Sequence, residues 1–212
     1  MSVAERLAEA LGGWVADGLN LDEDRREVLV YGAMTLLQNG ATILAVLILA
    51  RLLGVLPEAA AAAATAFVLR HFSGGEHLSR PLRCVVFTAL EFAICGAAAQ
   101  TLARSGGVLD PSLRLAVAAL PVLSGLVVVF RCAPVEAHTR PLSDDFKSLL
   151  RVRSRLIGTV ICVVVAIGAY AGAWWAWAAA CGYAVQVFSL TSVGLKFVRL
   201  IDRGCNLLPF RG

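Results

Sequence analysis

Charge is scarce in this chain. Only 16% of its 212 residues are Asp, Glu, Lys or Arg, where a soluble domain carries about 25%, and 58% are hydrophobic, where about 45 to 50% is usual. With a mean hydropathy of +0.76, those proportions exclude the soluble globular classes and indicate a membrane protein. The six cysteines (Cys84, Cys95, Cys132, Cys162, Cys181 and Cys205) are far apart and form no CxxC pair, which excludes a disulfide scaffold and a zinc ribbon. There are three histidines, His71, His77 and His138. The N-terminus lacks the basic stretch and apolar core of a secretory signal, and acidic residues interrupt it. No ATP-binding motif is present and nothing in the sequence asks for a cofactor.

What remains is apolar runs of the length a bilayer requires, about 20 residues each. Six spans are expected, at 31–50, 54–69, 82–103, 113–130, 156–173 and 174–195, within one membrane domain covering 1–212. The second is the weakest, an alanine run with Pro57 and Glu58 near its start. The last two are cut from 40 charge-free residues, Leu156 to Leu195, at a hairpin marked by Tyr170, Gly172, Trp174, Trp175 and Trp177. Before them, Ser2 and Glu5 form a capping box, and Val3, Leu7, Leu11, Trp14 and Val15 recur on one helical face. The expectation for 2–17 is an amphipathic helix lying in the membrane interface. The fold class is thus all-α: a polytopic membrane protein of six transmembrane helices plus that N-terminal helix.

The 19 Lys and Arg against 15 Asp and Glu leave a formal charge of +4, and six spans sort that excess by side. Arg51, Arg104 and Arg114 fall on one side and the other 16 basic residues on the opposite one. Lys and Arg collect in short cytoplasmic loops, so both termini are expected in the cytoplasm at the cell membrane. Removing the second span would carry Arg70, Arg80 and Arg83 across and spoil the asymmetry. Orientation therefore accounts for the basic surplus, and no nucleic-acid partner is needed.

Two loops on the basic side hold most of the polar residues. The first runs from Arg70 to Cys84 and includes His71, Gly74, Gly75 and His77. Pro81 suits the first position of a helix, which places Cys84 in the first turn of the third span. There the unpaired N–H groups and the positive end of the helix dipole favour a negative charge, and Arg80 and Arg83 add to that field. The thiolate is the attacking form of cysteine. Gly74 and Gly75 allow the segment to fold back, so that His77 can reach Cys84 and serve as base and then acid. Two plainer readings stand beside this dyad: an inert cysteine with a solvated histidine, or a metal site of His71, His77 and Cys84. The spacing of the latter matches no common zinc pattern.

The string Arg70-His71-x-x-Gly74-Gly75-x-His77, followed by Cys84 at the start of a span, resembles the signature of the accessory gene regulator B (AgrB) family. These are membrane cysteine endopeptidases of bacterial quorum sensing. The resemblance implies that His77 and Cys84 are the catalytic pair, supported by Arg70, His71, Gly74, Gly75 and Arg83, with the active site at the cytoplasmic face. It also implies an AgrD-like propeptide as substrate, processed to a thiolactone, and a homodimeric enzyme. The second basic loop supplies Arg140, Lys147, Arg151 and Arg153 to attract an acidic peptide; anionic inner-leaflet lipids are an equally good partner for the same charges. Glu91, an acid at membrane depth, is expected to pair with Gln38, Asn39, Gln100 or Gln186 on neighbouring spans. The rival functions are a small transporter, which calls for polar residues spread through several spans, and a non-enzymatic peptide-binding scaffold.

Overall fold

In the computed structural model, residues 3–75, 78, 80–135 and 143–207 are described, and all regular structure among them is helical. Eight helices follow in order: α1 (Val3–Gly18), α2 (Glu23–Leu52), α3 (Leu56–Ser73), α4 (Pro81–Gly106), α5 (Pro111–Cys132), α6 (Asp144–Tyr170), α7 (Trp174–Leu190) and α8 (Ser192–Leu207). Four of them, α2, α4, α5 and α6, are long and apolar enough to cross a membrane, and α7 with α8 would make a fifth if that bent pair were one span. α3, with 18 residues, is about 27 Å long at 1.5 Å per residue, near the thickness of a hydrocarbon core.

The helices meet through small residues. α7 is the hub, packed by α3, α4, α5 and α6, and ten of its 17 residues are buried, Ala176, Ala178, Ala179, Ala180 and Gly182 among them. A Cβ on Gly182 would strike the backbone of Ala62, so α3 and α7 touch main chain to main chain there. Large apolar side chains face outward instead: Leu36, Ile43, Ile48, Leu82, Ile94, Leu120 and Ile167 are all exposed. An interior of Ala and Gly inside a shell of Leu and Ile is the packing expected where lipid, not water, surrounds the bundle. The hairpin between α6 and α7 forms where the sequence places it, with Gly172 at φ 75° and Trp175 lying over Gly168.

Several boundaries differ from the sequence reading, mostly because helices run on past the apolar stretch. α2 begins at Glu23, eight residues before the expected span, with the Asp22 carboxylate accepting the Arg25 N–H at 2.9 Å as its N-cap. α3 continues through Arg70 and His71, so both are helical and not part of the loop; basic side chains suit a last turn, and the helix ends only where Gly74 takes φ 71°. α6 starts at Asp144, which puts Lys147, Arg151 and Arg153 on a helix and not in a loop. The sixth run stops at Leu190 and not at 195. The chain there turns by 83° into α8, which the sequence reading did not foresee.

α1 matches the expected N-terminal helix. Ala8, Gly12 and Ala16 are buried, with Gly12 against the Val30 backbone of α2, while Leu7, Leu11, Trp14 (77% exposed) and Val15 remain uncovered.

Candidate active site

The residues singled out in the first loop converge on the end of α3, the start of α4 and the end of α7. Gly74 (φ 71°) and Gly75 (φ 141°) adopt backbone angles that side chains disfavour, and the space around them is taken. A Cβ on Gly74 would collide with the Val135 carbonyl, and one on Gly75 would lie 3.1 Å from Arg70 Nη1 and 3.3 Å from Ser189 Oγ. The Val135 N–H donates to the Ser73 carbonyl at 2.9 Å, and Gly74 pairs with Val135 in an isolated parallel bridge. The connection after α5 is thereby fastened to the glycine turn.

Gln186 of α7, only 2% exposed, holds that turn from beneath. Its Nε2 donates to Ser73 Oγ at 3.0 Å and to the Gly74 carbonyl at 2.9 Å, and its Oε1 accepts from Arg70 Nη1 at 3.5 Å. Both amide hydrogens and the amide oxygen are thus used, as a buried amide requires. Gln186→Leu removes the donor to Ser73 Oγ and to the Gly74 carbonyl, and should lower the stability of the purified chain by about 1–3 kcal/mol, measured as a reduced thermal midpoint in detergent micelles. An unchanged midpoint would show that the turn does not depend on this amide.

Cys84 lies where the sequence places it. Pro81 opens α4, the Cys84 N–H closes the first helical bond on the Arg80 carbonyl at 3.1 Å, and the half-buried thiol is in no disulfide. Glu91 lies two turns further along α4, half-buried like Arg70 of α3. Of the amides expected beside Glu91, Gln186 bonds the glycine turn and Gln100 donates to the Gly54 carbonyl at 3.4 Å. Arg83 pairs with Asp202 of α8 at 3.6 Å, with a further hydrogen bond to its carbonyl at 3.4 Å.

His71 is exposed and meets Phe72 edge-on, with ring centroids 5.0 Å apart. His77, Arg140 and His138 lie outside the described residues; Gly75 and Leu78, on either side of His77, are both buried. Lys147 is half-buried, and Arg151 and Arg153 are exposed, on the first half of α6. Cys95 and Cys162 are buried in the bundle, where they pack as small residues.

Sequence reasoning missed Ser73, Ser189 and Asp202, and did not foresee that Gln186 bonds the glycine turn. A lone amide in an apolar helix was the available signal, since such a group must find a partner inside the protein.

Comparison with known proteins gives the family. The family model for accessory gene regulator B matches residues 4–190, which includes the glycine turn, Cys84 and Gln186. Two proteins of Clostridium perfringens are similar along nearly their whole length. An AgrB-like protein 2 from strain 13 is 27% identical, and an AgrB-like protein from strain SM101 is 26% identical; each alignment covers 96% of this chain and 99% of the relative. No solved structure matches the chain. A multi-helix bundle with this turn before Cys84, matched by the family model from residue 4 to residue 190, belongs to the accessory gene regulator B family.

Proposed function

We propose that this chain is a membrane-embedded cysteine endopeptidase that cleaves an AgrD-like propeptide and closes its signal segment into a thiolactone. The observation that carries the reading is the placement of Cys84 in the first turn of α4, just after the glycine turn that Gln186 secures and to which it also ties Arg70. A negative charge arising on Sγ is held there by the unpaired N–H groups of the helix start.

His77 takes the thiol proton as Cys84 attacks the carbonyl at the junction of signal and tail, and returns it to the departing amine. The tail leaves and an acyl thioester on Cys84 remains. The internal cysteine of the propeptide then attacks the same carbonyl, releases Cys84 as thiolate and closes the ring, so that no water is consumed. Restricting water at the membrane boundary protects the thioester from hydrolysis. In this reading α2 to α7 make six crossings, both termini and the Cys84 end face the cytoplasm, and α1 lies on the inner leaflet. Arg70, Gly74 and Gly75 support the pair, with Arg83 and His71 beside it. Arg140, Lys147, Arg151 and Arg153 receive the acidic tail, and the enzyme works as a homodimer.

The thioester is the discriminating intermediate. When the chain in lipid vesicles is mixed with an AgrD-like propeptide whose internal cysteine has been changed to alanine, ring closure is blocked. Mass spectrometry should then find the N-terminal part of the peptide attached to Cys84, with hydroxylamine releasing it. Tail release without any such adduct would overturn covalent catalysis by Cys84.

A further inference from the structure

α8 follows α7 directly, yet turns 83° away from it at Thr191, whose hydroxyl caps the new helix by accepting the Gly194 N–H at 3.0 Å. The helix carries three distinct faces. Gly194 is buried against the Phe188 carbonyl, Ile201 and Asp202 are half-buried, and Asp202 holds Arg83, next to Cys84. A second face is apolar and uncovered: Val193 (64% exposed), Phe197 (44%) and Leu200 (68%) recur at i, i+4 and i+7. The edge of the Phe197 ring also touches Phe188 and Phe87, which braces the face against α7 and α4. About a quarter-turn further round, at 100° per residue, Lys196, Arg199 and Arg203 are all exposed.

We infer that α8 is a membrane-surface helix that seats on anionic lipid. Its Val193-Phe197-Leu200 stripe enters the acyl boundary, and Lys196, Arg199 and Arg203 meet the phosphate headgroups. Two observations choose this occupant. α8 begins where a bundle of membrane-length helices ends, so the bilayer boundary is within its reach, and the charged residues on the face beside the apolar stripe, Lys196, Arg199 and Arg203, are all cationic, complementary to anionic headgroups. If α8 instead continued α7 through the bilayer, those three cations would be carried into hydrocarbon, which is strongly unfavourable. The inference concerns lipid contact alone and is independent of any reaction at Cys84. Through Asp202 and Arg83 it also brings the lipid surface to the side of α4 adjacent to that cysteine.

The test is hydrogen exchange of the full chain in nanodiscs, comparing pure phosphatidylcholine with discs containing phosphatidylglycerol. Amides 195–204 are expected to exchange at least tenfold more slowly in the anionic discs, while those of α4 and α7 stay unchanged. The triple variant K196Q/R199Q/R203Q should exchange alike in both discs. Raising the salt on the unsubstituted chain should shrink the same difference, so the inference remains testable even if the variant folds poorly. Equal exchange in the two lipids at low salt would overturn it. So would protection that follows the number of chains per disc and not the lipid, since a second copy would then cover the face.

Discussion

Cys84→Ala should abolish release of the propeptide tail, with a fall in rate on the order of 10³-fold or more, while the protein still inserts and folds. The size of the effect follows from the proposed mechanism, in which no acyl-enzyme forms without Sγ and what survives is only the advantage of holding the peptide in place. Folding should be spared because the thiol is half-buried at a helix start and fills no cavity of the Ala-rich core. Cys84→Ser should be nearly as damaging, because a hydroxyl is a much weaker nucleophile than a thiolate. The measurement is tail release in vesicles, with hydrogen exchange of α7 reporting the fold. A serine variant that processes peptide normally would remove Cys84 from the chemistry.

The next largest loss is expected at His77. Removing a general base typically costs about 10²- to 10⁴-fold, so His77→Ala should bring processing close to background, whereas His71→Ala should keep partial activity. The contrast rests on position. His71 is exposed on the last turn of α3 with its ring against Phe72, while His77 follows in sequence the turn that Gln186 secures, seven residues before Cys84. The assay is the same tail release, read across pH. Complete loss in His71→Ala with activity retained in His77→Ala would exchange their roles.

How far this could be read from the sequence depends on which interactions are local. Cys84 was placed correctly because Pro81 marks a helix start, and the hairpin at Gly172 because a glycine amid interfacial aromatics ends a charge-free run. The helix ends were missed where the apolar signal fades before the backbone does: Arg70 and His71 remain helical since a last turn tolerates cations. α8 was absorbed into the sixth span because nothing in its hydropathy marks the kink. Thr191, a capping residue three positions before the Gly194 amide it accepts, was the local sign of a new start. Longer-range facts were not legible. That Gln186 reaches Ser73 and Gly74 depends on how α3 and α7 pack, and no spacing along one helix encodes it.

The bridge between Gly74 and Val135 joins two stretches of chain separated by two helices. Because the Val135 N–H donates to the Ser73 carbonyl, the residues just after α5 are pinned to the end of α3. The exit of one helix and the last turn of the other therefore move as one piece, like a vice jaw bolted to its tool post, and a pull on either is felt at Ser73 and Gly74.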